Sequence, residues 1–280
     1  MPTVPTRILN DGTVMPRLGL GVWQVPDEDA ETIVEHALTE GYRLIDTAKV
    51  YGNEAGVGRG IAASGVARED IFLTTKLWNK DQGRDATLRA FDASLERLGT
   101  DYVDLYLIHW PCPKDDLYVE TWKTLVEIRE SGRAKAIGVS NFLADHVKRI
   151  IDESGVVPAV NQIEMHPRHS RPELRELHEH FGIATEAYSP LGSGKGLLED
   201  PVVQAVASEA GVSPAQAVLA WHLAQDVITI PKTATPERLV ENLAAVDVRL
   251  TDAQRAAIDA LNSASRVGSD PAEVDIDLWD

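Results

Sequence analysis

The chain has 280 residues, with 44 acidic against 27 basic side chains, a formal net charge of −17 and an isoelectric point near 4.8. A field of that sign repels nucleic acid and anionic membrane surfaces, and no apolar run reaches the roughly 18 residues of a membrane span. The N-terminal MPTVPTRILNDG lacks the basic start and apolar stretch of a signal peptide, and the lone cysteine, Cys112, excludes an intramolecular disulfide. A cytoplasmic protein with neither nucleic-acid nor membrane partners is therefore expected.

TRILNDGTVMPRL comes first and carries an Asn-Asp-Gly turn between short extended runs, which predicts a β-hairpin. Eight strand-like runs follow: RLGLGVW (17–23), YRLIDT (42–47), IFLTTKL (71–77), VDLYLIHW (103–110), KAIGVSN (135–141), AVNQIEM (159–165), IATEAYS (183–189) and VITIPK (227–232). Helical patterns lie between them. Ala30, Ile33, Val34, Ala37 and Leu38 fall at helical spacing, as do Leu88, Phe91, Leu95 and Leu98. Ser213-Pro214 reads as an N-cap followed by a first-turn proline, and Thr251 with Gln254 reads as a capping box. Strands alternating with helices imply parallel pairing. Eight such units in this length predict an α/β protein, a single-domain (β/α)8 TIM barrel over residues 1–280, with the N-terminal hairpin capping its bottom. Residues 262–280 show no periodicity. They are either a disordered tail or a loop over the barrel mouth, with Ile276, Leu278 and Trp279 favouring docking.

Barrel chemistry sits at the C-terminal ends of the strands. Those ends carry Trp23, Asp46, Lys76, His109, Ser140-Asn141, Gln162, Tyr188-Ser189 and Lys232-Thr233, so polar and aromatic groups converge on one mouth. Asp46, Lys76 and His109 come from consecutive strands, and Tyr51 follows the second of the eight. A buried lysine beside a tyrosine lowers the phenol's pKa, an aspartate keeps the lysine charged, and a histidine can orient a substrate oxygen. Together these could protonate a developing alkoxide. No metal is expected, because His166/His169 and His178/His180 lack a carboxylate cluster at a strand end. Cys112 reads as a free thiol near the surface.

Gly56, Gly58 and Gly60 follow Tyr51 but lack the third glycine of G-x-G-x-x-G, since Ile61 occupies that place. The helix pattern begins near Glu54, so these glycines read as packing of a helix against the barrel. ITIPKTATPERLVENL is the better phosphate site. Thr235 and Pro236 open a helix whose free N–H groups attract anions, and Lys232, Thr233 and Arg238 make a cationic pocket in an acidic chain. Tyr188 could stack on a flat ring, while Ser140, Asn141 and Gln162 could bind a carboxamide.

LGLGVW, DTAKVYGNE, TTKLW, DLYLIHWP, IGVSNF, VNQIEMHP, AYSPLG and IPKTATPERLVEN appear in the order and spacing of the aldo-keto reductase family, which the chain resembles over essentially its whole length. PAVNQIEMHP and the DPAEVD tail are most similar to the bacterial branch that includes 2,5-diketo-D-gluconate reductases. The resemblance implies a monomeric barrel that reduces small carbonyl compounds, dicarbonyls or keto-sugars, with NADPH. It implies a catalytic group of Asp46, Tyr51, Lys76 and His109, with Tyr51 as the acid. It places nicotinamide against Ser140, Asn141, Gln162 and Tyr188, with Ser189 and Leu191 also on the cofactor. The adenosine phosphates map to Lys232, Thr233, Thr235, Arg238, Glu241 and Asn242, and the substrate pocket to Trp23, Tyr51, His109 and Trp110, completed by loops 111–118 and 191–199 and the tail. Lys49 and Val50 depart from many relatives. Lys49 could attract acidic sugars or simply face solvent. An NADPH-binding sensor with little catalysis is the alternative reading, and a metal-dependent hydrolase would need ligand clusters that the sequence lacks.

Overall fold

In a computed structural model that describes residues 3–278, a short antiparallel hairpin precedes an eight-stranded parallel sheet. The hairpin strands are β1 (Thr6–Ile8) and β2 (Val14–Pro16), turned through Gly12 at φ 89°. The sheet runs in chain order through β3 (Leu20–Gly21), β4 (Leu44–Asp46), β5 (Phe72–Leu77), β6 (Val103–Ile108), β7 (Ala134–Ser140), β8 (Val160–Glu164), β9 (Ala184–Tyr188) and β10 (Ile228–Thr229). Its ends meet. Gly19 N–H donates to Thr229 O at 2.9 Å, and parallel bridges join Leu18 to Thr229 and Gly21 to Lys232. The eight predicted strands are all present and close a barrel, though the first and last are shorter than their apolar runs.

The helices form the outer layer: α1 (Asp27–Glu40), α2 (Glu54–Ala63), α3 (Arg84–Leu98), α4 (Tyr118–Glu130), α5 (Ala144–Ser154), α6 (Pro172–Phe181), α7 (Pro201–Ala210), α8 (Pro214–Ala224), α9 (Pro236–Leu243) and α10 (Asp252–Asp259). The capping residues act as their sequence predicts. Ser213 Oγ accepts the Gln216 N–H while Gln216 Oε1 accepts that of Ser213, and Thr251 and Gln254 repeat the exchange.

Strand side chains alternate between two faces. One set, including Leu44, Phe72, Leu105, Leu107, Ala136, Val160, Ala184 and Ile228, fills the barrel interior, while residues such as Ile45, Leu73 and Tyr106 pack against helices. Leu9 and Met15 from the hairpin join the interior cluster. Asn10 Nδ2 also donates to Pro158 O, just before β8 begins. The hairpin thus plugs the barrel at the N-terminal ends of its strands. Each fully buried side chain of this size contributes about 1.5–3 kcal/mol.

The glycines of α2 pack helix against helix, which corrects the expectation that they face the barrel. A Cβ on Gly56 would lie 2.2 Å from Asp27 O and one on Gly60 2.5 Å from Glu31 O, both in α1. A Cβ on Gly58 would lie 2.4 Å from Leu98 O of α3. Asp27 Oδ1 also accepts the Gly56 N–H at 2.6 Å.

The tail is an ordered loop across the mouth through Leu278; Trp279 lies outside the described residues. Arg168 O accepts the N–H groups of Ser263 and Ser265, and Asp115 Oδ2 accepts that of Ile276. Glu164, at the end of β8, accepts the N–H groups of Val267 at 2.6 Å and Gly268 at 2.8 Å. Val274 packs among Trp78, Trp110 and Cys112, with Leu278 against them.

Candidate active site

Side-chain alternation carries Leu44 and then Asp46 inward on β4, and Phe72, Thr74 and then Lys76 on β5. The apolar members form the floor and the polar ones lie at the C-terminal mouth. Lys76 is wholly buried. Its Nζ lies 2.6 Å from Asp46 Oδ1, 3.0 Å from Thr47 O and 3.3 Å from Tyr51 Oη. The ammonium also lies 5.0 Å from the Tyr51 ring centroid.

The segment after β4 is built to present Tyr51. Lys49–Tyr51 form a 3₁₀ turn that ends at Gly52, whose φ of 68° suits glycine. Asn53 pins the loop: Nδ2 donates to Val22 O and Val25 O, each at 2.9 Å, and Oδ1 accepts from Thr47 Oγ1 at 2.7 Å. Glu54, also buried, accepts from Thr75 Oγ1 and pairs with Arg97. Lys49, expected either to attract acidic sugars or to face solvent, is half-buried and pairs with Asp81.

His109 follows β6. Its ring meets Tyr51 edge-on at 5.8 Å and Trp78 edge-on at 5.3 Å, and lies nearly parallel to Trp110. Asp46, Tyr51, Lys76 and His109 therefore come together as the sequence suggested. Trp78 was missed, although it closes the TTKLW motif. Trp110 is buried beneath the tail, and Trp23 is 41% exposed at the mouth.

Burial sets the proton affinities. It pushes the Tyr51 phenol up, and the opposing pull of Lys76 does not overcome it. The lowering expected from the lysine is thus outweighed, and Tyr51 holds its proton. Burial alone would lower Lys76, but the charge of Asp46 and its hydrogen bond bring the lysine above its ordinary value. Burial raises Asp46 while Lys76 and Gln162 oppose the rise, and the short contact with a strongly basic Lys76 marks an ion pair. Burial, reinforced by Lys76, holds His109 well below its ordinary value, so the imidazole is neutral.

The predicted cofactor residues occupy two places. Around the mouth, Ser140 Oγ donates to Gln162 O, and Asn141 Nδ2 donates to His109 O at 2.9 Å. Tyr188 Oη donates to Asn141 Oδ1 at 2.8 Å. Asn141 and Ser189 adopt left-handed φ values of 66° and 49°. Leu191 is half-buried against the outer core. The second place is the start of α9. Thr235 occupies the cap position, yet its side chain makes no cap bond, and its N–H donates to Thr233 Oγ1 at 3.0 Å. Lys232 and Arg238 are exposed and form no ion pair among the described residues. Glu241 is half-buried and Asn242 buried on the same helix. An uncapped helix start beside two unpaired cations fits a phosphate group.

Cys112 is fully buried, which corrects its near-surface reading, and burial pushes its thiol up to about 12. His178 is buried between Asn161 and Thr185. Among the described residues no group of His, Cys, Asp and Glu is arranged to hold a metal ion, and no helix is long and apolar enough to cross a membrane.

A closed (β/α)8 barrel with a buried lysine–aspartate pair, a tyrosine and a neutral histidine at its C-terminal mouth defines a class of barrel oxidoreductase. The model of the aldo/keto reductase family matches residues 15–263, and the chain belongs to that family. It is 53% identical over 267 residues to an aldo-keto reductase of Mycolicibacterium smegmatis, covering 95% of this chain and 97% of the relative. It is 46% identical over 272 residues to the methylglyoxal reductase DkgA of Yersinia pestis, covering 97% and 98% respectively. A Gox0644 mutant solved in complex with NADPH superimposes with a TM-score of 0.93 at 45% identity, covering 98% of this chain and 99% of that one.

Proposed function

We propose that this protein reduces aldehydes and ketones to alcohols with NADPH, with Tyr51 as the general acid. The observation that carries the reading is the contact of Lys76 Nζ with both Asp46 and Tyr51, beside His109 at the mouth. NADPH, when bound, supplies a hydride to the carbonyl carbon. Tyr51 gives its proton to the carbonyl oxygen, and the ammonium of Lys76 stabilises the phenolate left behind. Asp46 keeps Lys76 charged, and neutral His109 orients the carbonyl oxygen.

Gln162, Ser140, Asn141 and Tyr188 would hold the nicotinamide end, with Ser189 and Leu191 along the way. Thr233, Thr235, Glu241 and Asn242 would frame the adenosine end. Lys232 and Arg238 would meet its phosphates, a preference for NADPH over NADH resting on their two unpaired charges. Trp23, Tyr51, His109 and Trp110, with Trp78 and the tail, would line the substrate pocket. Small dicarbonyls and keto-sugars are the favoured substrates, in line with the similarity to a methylglyoxal reductase and with the resemblance to 2,5-diketo-D-gluconate reductases. Lys49 gives no support to a preference for acidic sugars, because Asp81 neutralises it.

The test is NADPH consumption against methylglyoxal, diketogluconate, aromatic aldehydes and simple ketones. Tyr51→Phe should lower kcat by at least about 100-fold while leaving NADPH affinity near wild type. Wild-type turnover in that variant sinks the assignment of the acid.

A further inference from the structure

Glu186 stands on the inward face of β9, between Ala184 and Tyr188, and is wholly buried. Gln162 Nε2 donates to Glu186 Oε2 at 2.9 Å and to Asp46 Oδ2 at 2.8 Å. Glu186 Oε1 has no partner, and no cation forms an ion pair with this carboxyl among the described residues. A buried carboxyl group with one hydrogen bond and no counter-ion costs stability. A leucine on this inward face would cost none of that.

We propose that Glu186 is a positioning residue for the Asp46–Lys76–Tyr51 group, acting through the amide of Gln162. The proposal rests on the reading of that group as catalytic. An amide whose NH2 serves two carboxyl oxygens has its carbonyl oxygen turned away from both. Gln162 Oε1 is then left as an acceptor for the carboxamide NH2 of a nicotinamide. Glu186 and Asp46 thus jointly fix the face that Gln162 presents, and the same amide ties the acid's support to the cofactor's seat.

The charged and titratable groups that act on Glu186 are Asp46 on β4, Lys76 on β5 and Tyr51 in the loop after β4. Burial, then the negative charge of Asp46, pushes the Glu186 carboxyl up to about 8. At neutral pH it therefore keeps its proton, and Gln162 joins a neutral acid to the ionised Asp46. When Glu186 ionises, a second negative charge arrives beside Lys76. That charge strengthens the hold of Tyr51 on its proton and slows proton delivery.

The experiment measures kcat and KM for methylglyoxal from about pH 6 to 10, and NADPH affinity by fluorescence, in the full-length protein. Wild type is compared with Glu186→Gln, Glu186→Leu and Tyr51→Phe, with thermal melts to confirm folding. Glu186→Gln is near-isosteric and permanently neutral. It should keep the neutral-pH kcat within about twofold and lose the alkaline fall expected of wild type near pH 8. Glu186→Leu frees one side of the Gln162 amide and should weaken NADPH binding about tenfold, with a smaller change in kcat. A Glu186→Gln profile that falls as wild type does, or wild-type NADPH affinity in Glu186→Leu, overturns the proposal. Inactive Tyr51→Phe beside such a result leaves the catalytic reading standing without Glu186. Active Tyr51→Phe removes that reading and Glu186's role together.

Discussion

Lys76 Nζ and Asp46 Oδ1 lie 2.6 Å apart in a pair with 0% and 2% side-chain exposure. Removing one member leaves the other buried and uncompensated. Lys76→Met should destabilise the fold by about 3–5 kcal/mol and abolish turnover. The double variant Lys76→Met/Asp46→Leu should recover much of the stability and none of the activity. Denaturant melts and NADPH oxidation assays separate the two effects. A double variant no more stable than the single one would show that the pair's environment, not its charge balance, supports the barrel.

His178 gives the fold an acid-sensitive point. Its Nε2 accepts from Asn161 Nδ2 at 2.9 Å and its Nδ1 donates to Thr185 Oγ1 at 2.9 Å, an arrangement that only the neutral ring satisfies. Burial first, then nearby arginines, lower its pKa to about 3. In the unfolded chain the ring takes up a proton below about pH 6.5, while in the folded chain it does not. Stability should therefore fall as pH drops from 6.5 toward 3. The loss at pH 5 from this residue is about 2 kcal/mol. Urea melts at pH 7 and pH 5 should show a smaller difference for His178→Gln than for wild type.

Gly56→Ala places a methyl group 2.2 Å from the Asp27 carbonyl oxygen. Helices α1 and α2 must then separate, at a cost of about 1–3 kcal/mol. Gly58→Ala should act similarly against α3. NADPH affinity should stay near wild type in whatever protein remains folded, because both glycines are taken up in packing against α1 and α3. A selective loss of NADPH affinity in a fully folded Gly56→Ala protein would restore the cofactor-loop reading.

Glu164 fastens the tail through two charge-assisted backbone bonds, to Val267 and Gly268. Glu164→Ala should increase proteolytic cleavage within residues 262–278 and raise KM for the carbonyl substrate more than it lowers kcat. An unchanged cleavage pattern, read by mass spectrometry, would mean that Val274 and its aromatic neighbours hold the loop alone.

Much of the barrel is legible along the chain because the signals are local. Short β-rich apolar runs mark the eight strands, and a polar or aromatic residue at each strand end marks the mouth. Asp46, Lys76 and His109 are found in this way, and Tyr51 follows from its place five residues after Asp46. Glu186 carried a readable signal too, as the one acidic residue within β9, on its inward face. Its partner did not, because nothing local links position 186 to Gln162.

The sequence by itself determined the order of elements, the closed barrel and the four residues gathered at its C-terminal mouth. Short-range periodicity and helix caps depend on neighbours a few positions away. Tertiary structure alone decided the partners of groups that long stretches of chain bring together. It paired Lys49 with Asp81, pressed the α2 glycines onto α1 and α3, buried Cys112 under the tail and bound Gln162 to two carboxyl groups. It also decided the balance at Tyr51. A lysine nearby predicts a lowered phenol pKa, but the depth of burial, a property of the whole packed molecule, turns the shift upward.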